Sequence, residues 1–102
     1  MNRGEVWWVE SPRERRPYLI LTRQATIPLL DRVLAAPTTT TIRGIPTEVH
    51  LDTRDGMPSE CVLALDNLEP VPKRYFTTRI CDLGPAKLRE ACAALSRSVD
   101  CS

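Results

Sequence analysis

The period of the apolar residues changes once along this chain. Up to about Ile80 they come in short runs or in alternation, as β-strands require, and after it Leu88, Ala91, Cys92, Leu95 and Val99 recur at helical spacing. Lys87, Arg89, Glu90, Ser96 and Arg97 lie mostly off that stripe. Gly84 and Pro85 stand just before the stripe, and a proline at the first helical position gives up an amide hydrogen that has no helical partner anyway. The chain is therefore mainly β, with one amphipathic C-terminal α-helix. A length of 102 residues suits a single domain over 1–102 and one core of useful size.

Within the β part, "GEVWWVE" places Trp7 and Val9 on one face and Val6 and Trp8 on the other, so both faces call for cover. "SPRERRP" is a polar connection, and "YLILT", apolar on both faces and bounded by Pro17 and Arg23, is a central strand. "RQATIPLLD" is a loop or single helical turn before a third strand, "RVLAAPT", whose edge or end Pro37 marks. "IPTEVHL" alternates, with Thr47, Val49 and Leu51 on one face and Glu48 and His50 on the other, which predicts a half-exposed strand. After the polar loop "DTRDGMPSE", "CVLALDNL" forms a buried strand and "EPV" a short one. Many short strands with one late helix predict a small, strongly bent antiparallel sheet or partly open barrel.

Composition narrows the function. With 42% apolar and 26% charged residues the chain can build a core and stay in water, and runs such as "YLIL" are far too short to cross a bilayer. Arg3, Glu5 and Glu10 interrupt the only apolar beginning, so no targeting segment is expected and the cytoplasm is the expected compartment. The formal net charge of +1 gives no global attraction to nucleic acid, so any such contact needs a local patch. The best one is "PRERRP", where Arg13, Arg15 and Arg16 outweigh Glu14. Cys61, Cys81, Cys92 and Cys101 form no Cys-x-x-Cys element and His50 is the lone histidine, which argues against structural zinc. Buried thiols of a cytosolic protein account for them, with Cys101 near the terminus the one placed to pair between molecules.

Familiar catalytic sets are missing. His50 sits on an outward strand face with no strained serine turn to serve, so a serine or cysteine hydrolase is not supported. Gly4, Gly44, Gly56 and Gly84 are too scattered to cradle a phosphate, and the carboxylates of "DTRD" and "LDN" belong to turns rather than to a metal pair. What remains is arginine and threonine. A guanidinium stays ionised and donates two parallel hydrogen bonds to a phosphate, and a hydroxyl can hold a nonbridging oxygen. "RRP" and "PTTTTIRG" supply both groups at strand ends, although β propensity alone accounts for a threonine run.

Four blocks in order, "RGEVWWV", "RRPYLILTR", "VLAAPTTTTIRGIPTEVHL" and "CVLALDNLEPVPKRYFTTRI", resemble the MazF/PemK family of toxin endoribonucleases from type II toxin–antitoxin pairs. The Arg-Pro pair after the first strand and the Thr-x-x-x-Gly-x-Pro spacing carry most of the likeness, which spans nearly the whole chain. The resemblance implies a Src-homology-3-like (SH3-like) barrel, a two-fold homodimer, and cleavage of single-stranded RNA, often messenger RNA, with no metal or other cofactor. Translation and growth are thereby inhibited. It places the family's catalytic arginine on Arg16 and its threonine on Thr39, with Thr38, Thr40 and Arg43 flanking and Asp66 or Asn67 touching substrate. Arg13 and Arg15 add phosphate contacts from a loop that is shorter, and richer in arginine, than in many relatives.

The implied reaction is attack by the RNA 2′-hydroxyl on its own phosphorus, giving a 2′,3′-cyclic phosphate and a 5′-hydroxyl. Arg16 would neutralise the developing charge and Thr39 would bond the phosphate, because a guanidinium's pKa is poorly matched to proton transfer near neutrality. A small acidic antitoxin of MazE type, its disordered tail threading the dimer groove, is the implied partner. Two other readings compete. A gyrase-poisoning toxin of the same fold type acts through a tryptophan-bearing C-terminal end, whereas this chain closes with "SRSVDCS". A plain RNA-binding barrel calls for exposed stacking aromatics, and aromatics are only 5% here.

Overall fold

The computed structural model describes residues 1–98. Strands β1 (Glu5–Glu10), β2 (Arg15–Ile20), β3 (Arg32–Thr39), β4 (Glu48–Leu51), β5 (Cys61–Ala64), β6 (Glu69–Pro72) and β7 (Phe76–Asp82) precede helix α1 (Pro85–Ser98). They form one seven-stranded sheet in the order β4-β5-β3-β2-β1-β7, with β6 also on β3. Every pairing is antiparallel. The outer strands β4 and β7 do not meet among the described residues, so the sheet is bent and open at its ends.

The bend has a local cause. β3 is continuous, while its partner is broken: Thr38 and Thr39 pair with Leu63 and Val62 of β5, and Ala35 to Arg32 pair with Glu69 to Pro72 of β6. Between them the 3-10 turn Leu65–Asn67 inserts three residues that have no counterpart on β3. Such an insertion bends and twists a ladder much as a bulge does. "CVLALDNL" is accordingly not one strand: β5 stops at Ala64 and the turn exposes Asp66 and Asn67.

Side-chain alternation divides the interior in two. Val6, Leu19 and Ala36 join Leu51, Leu63, Leu65 and the helix residues Ala91 and Ala94 in one cluster. Val9, Tyr18, Ile20, Ala35, Val71 and Phe76, with Trp7 against them, form the other. Neighbours along β1, β2 and β3 thus fall in opposite clusters, which is the period of two expected of strands covered on both faces. The helix follows the expected stripe, with Leu88 and Leu95 packed on the first cluster, and the short side chains of Ala91 and Ala94 fully buried beneath it. Val99 and Cys101 lie outside the described residues. Among the described residues no helix is long and apolar enough to cross a membrane.

Three sequence boundaries shift. "SPRERRP" is not all connection, because Arg15, Arg16 and Pro17 belong to β2 and pair with Glu10, Val9 and Trp8. Only Ser11–Glu14 turn the hairpin, closed by the Ser11 amide on the Glu14 carbonyl at 2.9 Å and by the Ser11 hydroxyl accepting the Arg13 and Glu14 amides. Pro37 does not end β3, which runs on to Thr39 with Pro37 opposite Tyr18. "IPTEVHL" gives a strand only from Glu48 onward, because the loop before it is tied to the Glu48 carboxylate.

Candidate functional site

The register of β2 against β3 sets Tyr18 opposite Pro37, and two further residues along each strand bring Arg16 beside Thr39. A cleft of about 280 Å³ opens there. One wall carries Arg15, Arg16 and Thr38 to Thr40, with Trp8 from β1, and the other carries Met57, Pro58, Ser59 and Cys61. Arg16 also borders a second hollow of about 370 Å³, shared with Arg13, Glu14, Tyr18, Asn67 and Glu69. Arg16 is the one residue that lines both hollows.

That guanidinium is held in place from two directions. Its Nη1 donates to the Thr38 carbonyl at 3.2 Å, and its Nη2 pairs with a Glu14 oxygen at 3.0 Å. A guanidinium carries more N–H donors than these two bonds use, so the remainder can grip an anion. Glu14, Arg16 and Tyr18 alternate in sequence and meet in space. The Tyr18 hydroxyl lies 3.3 Å from Glu14 and 3.2 Å from Glu69, and its single hydrogen serves one carboxylate at a time. Burial, with those two carboxylates beside it, pushes the Tyr18 phenol far above the usual tyrosine range, so it stays protonated.

The threonines of the run are not equivalent. Thr38 is buried and its hydroxyl donates to the Pro17 carbonyl at 3.0 Å, stitching β3 to β2. Thr39 is half-buried, and its oxygen accepts the Thr41 amide at 3.1 Å, which leaves the hydroxyl hydrogen without an acceptor among the described residues and able to point at a ligand. Thr40 is exposed at the cleft mouth.

Other expected residues divide in the same way. Arg13 and Asn67 border the second hollow, and Arg15 lies over the Trp8 ring at 3.8 Å while pairing with Glu10 at 3.3 Å. Arg43 and Asp66 line neither hollow. Arg43 is held by Glu48 at 3.0 Å and by Asp66 at 3.5 Å, and Glu48 also accepts the Arg43 and Gly44 amides. The structure therefore brings Arg13, Arg15, Arg16, Thr38, Thr39, Thr40 and Asn67 together and sets Arg43 with Asp66 apart as a brace for the loop.

Glu14, Tyr18, Glu69 and the Met57–Ser59 wall join the site with no motif to mark them in the sequence. Alternation of Glu14, Arg16 and Tyr18 was the available signal, but it needed β2 to start before Pro17. The wall follows from a capped turn: the Asp52 side chain accepts the Arg54 amide, Asp55 reaches back to the Asp52 amide, and Gly56 ends the turn at φ 101°. His50 stays outside the cleft, exposed on β4 with its Nε2 2.8 Å from Glu60. Burial and the nearby Asp55 push the Cys61 thiol up to about 11, which disfavours the thiolate that a nucleophile requires. No group of three or more His, Cys, Asp or Glu side chains is placed to hold a metal ion among the described residues.

A cationic and hydroxylic cleft on a bent sheet of this topology agrees with what the chain resembles. Residues 2–99 match the family described as PemK-like, MazF-like toxin of type II toxin–antitoxin system. The chain belongs to that family. Among relatives of this toxin family, the probable endoribonuclease MazF5 of Mycobacterium tuberculosis is 44% identical over 102 residues, covering 98% of this chain and 94% of that protein. The structure of the Mycobacterium tuberculosis toxin MazF-mt6 superposes with a TM-score of 0.88 at 31% identity, over 96% of this chain and 98% of the other. An endoribonuclease in complex with its cognate antitoxin, from a mycobacterial species, gives 0.89 at 25% identity over 100% and 97%. The family match includes both strands of the Arg16 and Thr39 cleft.

Proposed function

We propose that this PemK/MazF-family chain is a sequence-specific endoribonuclease that cuts single-stranded RNA, chiefly messenger RNA in the cytoplasm, and so arrests translation and growth. The observation that carries the proposal is the meeting of Arg16 and Thr39 in one cleft, with a guanidinium already aimed by Thr38 and a hydroxyl hydrogen left free. In this reading a phosphodiester seats between them. The neighbouring 2′-hydroxyl attacks phosphorus, the 5′ oxygen leaves, and Arg16 and Thr39 bind the two nonbridging oxygens as their charge grows. No step is assigned to a metal ion. Relatives named endoribonucleases support the activity, and the antitoxin complex of a structural relative supports neutralisation by a cognate partner.

Incubation of the purified protein with a long RNA in excess chelator tests this directly. Cleavage is expected to persist and to leave 2′,3′-cyclic phosphate and 5′-hydroxyl ends. Intact RNA, loss of cutting with chelator, or 5′-phosphate ends would each overturn the mechanism.

A further inference from the structure

Attack by a 2′-hydroxyl requires that its proton go somewhere, and neither Arg16 nor Thr39 is suited to take it. We propose that Glu14 is the general base of the RNA cleavage, a role that rests on the ribonuclease reading above. Glu14 Oε2 lies 3.0 Å from Arg16 Nη2, and its side chain is about a third exposed, open to the hollow that borders Arg16. An RNA 2′-oxygen lies beside its own 3′-phosphate, so a phosphate gripped by Arg16 brings that hydroxyl next to the carboxylate paired with the same guanidinium.

The competing groups are disposed otherwise. His50 faces Glu60 away from the cleft, Asp66 is paired with Arg43, and Glu69, which borders the same hollow, is bonded to Tyr18 and makes no direct pair with Arg16 among the described residues. Tyr18 supports the assignment from behind. Its hydroxyl contacts the other Glu14 oxygen, Oε1, and so orients the carboxylate while leaving Oε2 on the side of the guanidinium. In the step, the proton passes from the 2′-oxygen to Glu14 as the new oxygen–phosphorus bond forms. The bond from phosphorus to the 5′ oxygen breaks, that oxygen takes a proton from water, and Glu14 then returns its own proton to solvent.

The test separates proton transfer from mere support of Arg16. Glu14→Gln keeps an oxygen that accepts from Arg16 and Tyr18 but cannot take a proton. On a long RNA with a mapped cut site, kcat is expected to fall by roughly 10²–10⁴-fold, the usual share of a general base. KM, and binding of an oligonucleotide with deoxyribose at the cut position, should stay within about threefold. Glu14→Asp, which keeps the base one methylene farther back, should recover part of the lost kcat. Near-normal cutting by Glu14→Gln overturns the proposal, as does a parallel loss of kcat and analogue binding, which would mark a positioning residue. Failure of the unmodified protein to cut RNA instead overturns the ribonuclease reading itself.

Discussion

Arg16 Nη1 donates to the Thr38 carbonyl at 3.2 Å, so the strand that carries Thr39 also fixes the direction of the guanidinium beside it. Replacing Arg16 by alanine is expected to lower RNA cleavage by roughly 10²–10³-fold, the cost of losing one preorganised donor to the transition state. Lysine should not restore it, because an ammonium cannot reach Thr38, Glu14 and a phosphate from one plane. Arg43→Ala should cost far less, since Glu48 and Asp66 already engage that side chain. Single-turnover cleavage of the three variants, beside their thermal unfolding curves, checks the order.

Thr38 and Thr39 should separate stability from activity. The Thr38 hydroxyl is buried on the Pro17 carbonyl, so Thr38→Val leaves that acceptor short of a donor and should destabilise by about 1–3 kcal/mol. Thr39→Val removes only a half-exposed hydroxyl that accepts a surface amide. It should unfold almost like the parent but cut RNA poorly. Denaturant unfolding and cleavage rates on both variants decide, and equal stability losses would contradict the division.

How much of this was legible in the sequence depends on what each residue's placement required. The alternation of Val6, Trp7 and Val9 and the helical stripe through Leu88, Ala91 and Leu95 are local patterns, and the two-sided core follows from them. The family likeness points to Arg16 and Thr39, and the β2–β3 register sets the two side by side. Glu14 and Tyr18 carry no such local signal, because their meeting depends on β2 beginning at Arg15, ahead of Pro17. That hairpin is set by cross-strand pairing and by the Ser11 hydroxyl, neither of which has a periodic signature. Arg43 resembled a phosphate ligand because its carboxylate partners come from β4 and from the turn that bends the sheet. Ion pairing across the fold leaves no mark in local spacing.

Glu5 gives the fold a pH dependence. Burial raises the cost of its charge, yet bonds from the Trp7 indole and the Asn2 amide, with Arg79 at 3.1 Å, outweigh that cost and hold the carboxyl below its ordinary value of 4.5. A depressed carboxyl stabilises fully above its unfolded-state value and loses that contribution as the pH falls through the folded one. Glu5→Gln should therefore be less stable than the parent by about 1–3 kcal/mol near neutrality. The gap should close progressively below pH 4.5. Chemical denaturation across that range measures it, and a pH-independent gap would rule out the charge as its source.

Gly56 ties the capped turn to the cleft wall. Its φ of 101° suits glycine, and an added Cβ would lie 2.7 Å from Cys81 Cβ. Gly56→Ala is expected to cost roughly 1–3 kcal/mol, visible as a lowered thermal midpoint. Met57 follows directly and its Sδ lies 3.8 Å from Cys81 Sγ, so relief of the clash should move the Met57–Ser59 wall and slow cleavage as well. The obstructing atom can be identified by repeating the change in a Cys81→Ala background, which removes Sγ and keeps Cβ. The penalty should be the same there. Its disappearance would show that the sulfur, 3.5 Å from the added carbon, was the obstacle and that the strand itself had room.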